Sequence, residues 1–156
     1  RQDERVVVME RTNFRYVTPA DLVGQMPNLA SIDVSFISLQ LILPVLRTLL
    51  VPGSDVIALI KPQFEAGREQ VGKKGIVRDS SVHEQVIDKI LTFAQTEGYH
   101  IKGLSYSPIT GGDGNIEFLA HLQWPHGSEE VHATNDFDIQ SVVEEAHKQL
   151  KAKLKE

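Results

Sequence analysis

The stretch YHIKGLSYSPITGGDGNIEFLAHLQW, Tyr99–Trp124, decides the fold. Two apolar runs, Tyr99–Ser107 and Ile116–Trp124, flank the connection Pro108-Ile109-Thr110-Gly111-Gly112-Asp113-Gly114-Asn115. That connection is too short for a crossover helix, so the two runs must pair antiparallel, as a hairpin with a glycine-rich loop. Upstream, apolar runs alternate with helical patterns, which is the signature of a parallel sheet. Leu29–Val34 and Asp55–Ile60 read as strands, and so does Arg5–Met9, three consecutive valines bounded by charge. Asp55–Ile60 is apolar on both faces, as expected in a sheet covered by helices.

The helices announce themselves by caps and periodicity. Thr18-Pro19-Ala20-Asp21 starts a brief helix that Gly24 and Pro27 end. Ser38 caps an apolar helix running to about Leu50, with Pro44 bending it or marking its true start, and Pro52-Gly53 closing it. A third helix begins at Ser80 or Ser81 and ends at Gly98. Val82, Val86, Ile90 and Ala94 recur every four positions in it, and Ile87 and Leu91 widen the stripe. Between these helices, Lys61 to Asp79 reads as a long unstructured loop, a feature that is usually functional inside a compact domain. A polar stretch, Pro125–Asn135, reads as a linker. It leads into a last helix, from about Asp138 to Lys155, with Ile139, Val142, Val143, Ala146, Leu150 and Leu154 on one face. Residues 1–124 therefore form the α/β unit and 125–156 a linker and terminal helix.

Composition narrows the chemistry. The absence of cysteine excludes disulfides, thiolate metal sites and cysteine nucleophiles. No apolar run reaches the ~18–20 residues that span a bilayer, so a cytoplasmic protein is the expectation and no membrane partner is assigned. A net charge of -5 argues against gripping nucleic acid by bulk electrostatics, although Arg68, Lys73, Lys74 and Arg78 cluster locally. The six histidines show no ligand spacing and no acidic partner pattern, so no metal site is assigned.

Asp33, Lys61 and Glu117 each sit where an apolar run meets a loop. Groups at the carboxyl edge of neighbouring strands converge on the crevice where open α/β sheets bind ligands. An acid, an amine and a second acid suit proton handling and cation recognition; three unrelated surface charges are the competing reading.

Four segments carry a resemblance. Val8-Met9-Glu10-Arg11-Thr12-Asn13, Ile32-Asp33-Val34-Ser35-Phe36-Ile37-Ser38-Leu39, Lys61-Pro62-Gln63-Phe64-Glu65 and Gly114-Asn115-Ile116-Glu117-Phe118 occur in that order. Together they resemble the haemolysin-A-like (TlyA) branch of the FtsJ-type ribosomal RNA ribose methyltransferases, and the loop Gly72–Asp79 resembles that family as well. The resemblance covers roughly Arg1 to Gln123. It implies the back half of a class I methyltransferase fold (Rossmann-like), mostly parallel and ending in the antiparallel hairpin, with the N-terminal strands missing.

The resemblance also implies a Lys-Asp-Lys-Glu tetrad transferring methyl from S-adenosylmethionine to a ribose 2′-hydroxyl of ribosomal RNA. Asp33 matches the tetrad's aspartate, Lys61 its second lysine and Glu117 its glutamate. The first lysine, the glycine-rich cofactor turn and the small basic S4-type domain have no counterpart here. The chain is accordingly expected to be part of a longer protein, to lack a complete cofactor pocket and to be inactive alone. Lys61 is then expected to be charged and paired with Asp33 or Glu117.

Glu10, Arg11, Asn13 and Asp33 are the candidate cofactor contacts, with turn capping as the alternative for Glu10 and Asn13. Arg68, Lys73, Lys74 and Arg78 are the candidate contacts to RNA, and ribosomal RNA or a ribosomal subunit is the expected partner. Gly72–Gly75 and Gly111–Gly114 are read as substrate-side loops, and Phe64 as a hydrophobic plug or a stacking surface. The competing functions are a non-catalytic Rossmann-like interaction module and a membrane-active haemolysin. Missing strands would leave a sheet edge unpaired, which predicts a homodimer across that edge or further residues that occupy it.

Overall fold

The computed structural model describes residues 1–127 and 137–153, with side chains described to residue 150. Its elements are β1 (Leu29–Ile32), α1 (Leu39–Leu46), β2 (Ser54–Ile60), α2 (Pro62–Glu65), α3 (Ser80–Thr96), β3 (His100–Tyr106), β4 (Phe118–Trp124) and α4 (Ile139–Lys153). The hairpin is present: β3 and β4 pair antiparallel from His100↔Gln123 to Tyr106↔Phe118, with Lys102 bulged out of register. β4 also pairs antiparallel with β2, so the strand order is β1-β2-β4-β3 and β1–β2 is the parallel pair.

Register explains why β4 settles there. Val56 faces Leu122, Ala58 faces Ala120 and Ile60 faces Phe118, and all six are almost inaccessible to solvent. Alternation on the two strands puts these apolar side chains on one face, where burying each of the larger ones contributes about 1.5–3 kcal/mol. Right-handed crossovers from β1 to β2 and from β2 towards β3 put α1 and α3 over that same face. α1 packs on α3, and α4 packs on both α3 and β3.

Several expectations need correcting. Arg5–Met9 forms no strand, and Val7 is 62% exposed. Three valines favour extended backbone, but a strand also needs a neighbouring strand to take its N–H and C=O groups; no described strand pairs with this segment, and the Val6 N–H donates instead to the nearby Asp3 carbonyl. The parallel part of the sheet is therefore a single pair. The sheet is also covered on one face only among the described residues: Ile57 is 37% exposed, and Ser105, Leu119 and His121 share its open side. α1 stops at Leu46, short of Leu50. Thr18–Asp21 makes a single 3₁₀ turn, closed by hydrogen bonds from the Thr18 backbone N–H and hydroxyl to Asp21. The segment after Lys61 is not featureless: α2 is followed by 3₁₀ turns at Arg68–Gln70 and Lys73–Gly75.

The α3 stripe matches its periodicity, with Val82, Val86, Ile87, Ile90, Leu91 and Ala94 all buried; its cap is Asp79, which accepts from the Ser81 N–H. Val143, Ala146 and Leu150 of α4 are buried, while Leu154 and most of the expected linker lie outside the described residues. β1 has no partner on its outer edge among the described residues.

Candidate active site

Strand geometry brings the three charged residues to one edge. β1 and β2 run parallel with Ile32 beside Ala58, so Asp33 and Lys61 both leave the sheet at its carboxyl end. β4 runs the opposite way with Phe118 beside Ile60, so Glu117, just before it, starts from that same end. Lys61 and Glu117 thus lie one residue beyond the ladder on adjacent strands.

Lys61 Nζ is 2.6 Å from Asp33 Oδ1 and donates to Ser35 Oγ at 3.2 Å. The lysine side chain is 12% exposed and the aspartate 74%, so a nearly buried amine is held by an acid that water still reaches. Glu117 is buried, and its Oε2 accepts from Gln63 Nε2 at 2.9 Å. Gly111 is pressed against that carboxylate: a Cβ there would come within 2.5 Å of Glu117 Oε2. The Gln63 Oε1 atom is buried with no hydrogen-bond partner. An unpaired buried acceptor costs about 1–3 kcal/mol.

Glu65 fixes the backbone that carries Lys61 and Gln63. It accepts from Ser38 Oγ at 2.7 Å and from the Leu39 N–H at 2.8 Å, closing the N-terminus of α1 from a distant part of the chain. Lys89 Nζ donates to the Glu65 backbone carbonyl. Burial raises the Glu65 carboxyl above the ordinary carboxylate range, opposed by its bonds to Ser38 and Leu39 and by the Lys89 charge.

Lys61, Gln63, Phe64 and Glu117 line a cleft of about 370 Å³ whose far wall is built from two glycine-bounded loops. Lys74 (φ 64°) and Asp113 (φ 64°) each adopt left-handed backbone there, followed by Gly75 and Gly114. Asn115 joins the loops: its Oδ1 accepts from the Val77 N–H at 3.0 Å and its Nδ2 donates to the Gly75 carbonyl at 2.9 Å. Phe36 stands at the mouth, 90% exposed and also at positive φ (61°), with its ring centroid 4.7 Å from that of Phe64. A bulky residue in that conformation is strained, and such strain collects at functional sites.

The remaining candidates divide. Lys74 lines the cleft; Arg78 lines a separate hollow beside α4, with Ile116 and Leu150; Arg68 and Lys73 are exposed and line neither. Glu10 is paired with Arg1, Arg11 is exposed, and Asn13 caps a 3₁₀ turn by accepting from the Arg15 N–H. None of these three lines the cleft. Of these candidates, therefore, only Lys74 stands in the cleft with Lys61 and Glu117. Phe36, Gln63, Glu65 and Asn115 stood inside the quoted segments without assigned roles; only their tertiary partners give them any. Three histidines gain partners that spacing did not show: His121 Nε2 lies 2.9 Å from Asp55 Oδ1, and His83 Nδ1 lies 2.8 Å from His147 Nε2. No group of three or more metal-ligating side chains occurs among the described residues.

Residues 1–124 match the family described as FtsJ-like methyltransferase. The chain belongs to that family. This FtsJ-like chain is 69% identical over 153 residues to YqxC of Bacillus subtilis (strain 168), covering 98% of the chain and 54% of the relative. It is 41% identical over 123 residues to the "16S/23S rRNA (cytidine-2'-O)-methyltransferase TlyA" of Mycobacterium tuberculosis (strain ATCC 25618 / H37Rv), covering 79% of the chain and 46% of the relative. A solved structure of a hemolysin-like protein from Streptococcus thermophilus superposes with a TM-score of 0.90 at 54% identity, over 99% of the chain and 55% of that structure. The FtsJ-like chain thus spans about half the length of these relatives.

Proposed function

We propose that this chain carries the substrate side of a ribosomal RNA methyltransferase acting on a ribose 2′-hydroxyl. The observation that carries the reading is the nearly buried Lys61 amine held 2.6 Å from Asp33, at the sheet edge from which the buried Glu117 also starts. The family match and the relatives named as rRNA methyltransferases support the substrate class.

In this reading Lys61 orients the hydroxyl as the charged amine held by Asp33, or takes the hydroxyl's proton in the intact enzyme when that amine is neutral, and Glu117 orients the ribose. Positioning of this kind supplies up to about 7–11 kcal/mol in the best cases. Phe36 and Phe64 offer aromatic faces on which an unstacked base can lie. Arg68, Lys73, Lys74 and Arg78 contact RNA phosphates, Lys74 from within the cleft itself. S-adenosylmethionine supplies the methyl group, and Glu10, Arg11, Asn13 and Asp33 contribute to its site. The protein works in the cytoplasm on ribosomal RNA or a ribosomal subunit. Residues 125–156 serve as a polar linker and a terminal helix, α4, that packs on α3 and β3, and the open β1 edge pairs with a second copy.

The test replaces the matching half of Bacillus subtilis YqxC with this chain and measures methyl transfer to ribosomal subunits from labelled S-adenosylmethionine. Lys61→Ala is expected to lower the rate by roughly a hundredfold or more, in line with the loss of one proton-transfer group. A Lys61→Ala chimera as active as its parent would refute the assignment.

A further inference from the structure

Gln63 carries chemistry that the charged trio leaves unused. It is the second residue of α2, and Glu65, two positions on, is anchored to Ser38 and Leu39. Its Nε2 donates to Glu117 Oε2, and the direction is settled because a carboxylate only accepts. Turning the amide over would set oxygen against oxygen, so Oε1 cannot exchange places to find a partner. That atom stays buried and unpaired in a residue that itself lines the cleft. Buried polar side-chain atoms are ordinarily paired, and an orphan beside a ligand cleft calls for a partner that arrives with the ligand.

We propose that Gln63 is the specificity-determining residue of the cleft: its Oε1 accepts a hydrogen bond from a neutral O–H or N–H donor of the bound nucleotide while its Nε2 holds Glu117. The terminal torsion of glutamine is broad, so a small turn presents Oε1 to the cleft while the Glu117 bond is kept. The donors meant are the ribose 2′-hydroxyl and the exocyclic amine of cytosine. An analogue lacking the donor leaves the acceptor unpaired, which is how polar sites reject near-isosteres. That the ligand is a nucleotide rests on the methyltransferase reading; that the cleft demands a donor at Gln63 rests on the orphaned acceptor.

The experiment titrates this chain with CMP, 2′-deoxy-CMP and UMP by NMR, for the wild type, Gln63→Leu and Gln63→Met. Wild type is expected to prefer CMP over one of its analogues by roughly fivefold or more, the weight of one neutral hydrogen bond. Weaker 2′-deoxy-CMP identifies the ribose hydroxyl as the donor, and weaker UMP the base amine. Both variants are expected to lose that preference, binding of CMP falling by more than binding of the analogue that lacks the donor, whereas a purely structural role would weaken every nucleotide alike. A variant that folds and keeps the preference overturns the proposal, as does a wild type that binds all three equally. Failure of the wild type to bind any nucleotide overturns the methyltransferase reading along with it. Binding without a preference that depends on Gln63 overturns this inference alone.

Discussion

Acid should release α4 through His83. This side chain is fully buried on α3, with its ring edge-on to Phe118 at 5.5 Å. Its Nε2 lies 2.9 Å from the Val77 carbonyl, which can only accept, so Nε2 carries the proton. Nδ1 is then bare and accepts from His147 Nε2 of α4. Burial is the main cause of a depressed His83 pKa, lowered from 6.5 to about 4; the Val77 carbonyl and Asp79 pull it back up, and His147 pushes it further down. Protonating Nδ1 would set two donors face to face.

The sign follows from which state takes up protons first. The unfolded chain protonates His83 below about 6.5 and the folded chain only near 4, so stability is full above pH 6.5 and is lost as pH falls through that window. At 1.36 kcal/mol per unit, the loss reaches about 1.4 kcal/mol at pH 5.5 and about 3 kcal/mol at pH 4. Glu65, whose folded carboxyl is raised, works the other way in the acid range, because its folded state holds protons more tightly than the unfolded chain does. Urea unfolding of the wild type and His83→Gln at a series of pH values separates the two effects. The amide keeps an N–H for Val77 and has nothing to titrate, while Glu65 is common to both proteins. The stability gap should shift towards the variant by about 3 kcal/mol between pH 7 and pH 4. Parallel loss in both proteins would refute the argument.

Other substitutions probe the cleft and its supports. Gly111→Ala should push Glu117 off Gln63 and abolish methyl transfer by the YqxC chimera, at a folding cost of about 1–2 kcal/mol. Gly112→Ala, with nothing near its added Cβ, should leave both unchanged, and equal effects of the two would contradict the close approach at Gly111. Glu65→Ala strands the Ser38 hydroxyl and the Leu39 N–H at the start of α1 and should cost about 2–4 kcal/mol in urea unfolding; a change under 1 kcal/mol would show that this cap carries little. The open edge of β1 should make the chain dimerise in sedimentation equilibrium, and a lysine at Ser31 should weaken the dimer; a monomer at every concentration would count against pairing at that edge.

Local pattern carried much of this fold. Four-residue spacing marked the buried stripe of α3, Ser38 marked the start of α1, and the short link after Ser107 allowed nothing but a hairpin. These features are legible because helix periodicity, capping and loop length act over a few residues. Asp33, Lys61 and Glu117 stood out for the same reason, each being a charge at the end of an apolar run.

What the chain alone could not reveal depends on partners far away in sequence. Three valines at Val6–Val8 have every local reason to form a strand and remain exposed, since strand formation is settled by a neighbouring backbone. β4 takes its place beside β2 through the facing rows Val56, Ala58, Ile60 and Phe118, Ala120, Leu122, and that placement brings Glu117 to the edge where Lys61 already stands. Glu65 as a cap for α1, Gln63 as the hold on Glu117, and His83 as the tie to α4 arise from contacts spanning 26, 54 and 64 positions. Side-chain chemistry supplied the candidates, and the packing of one sheet face chose which of them would meet.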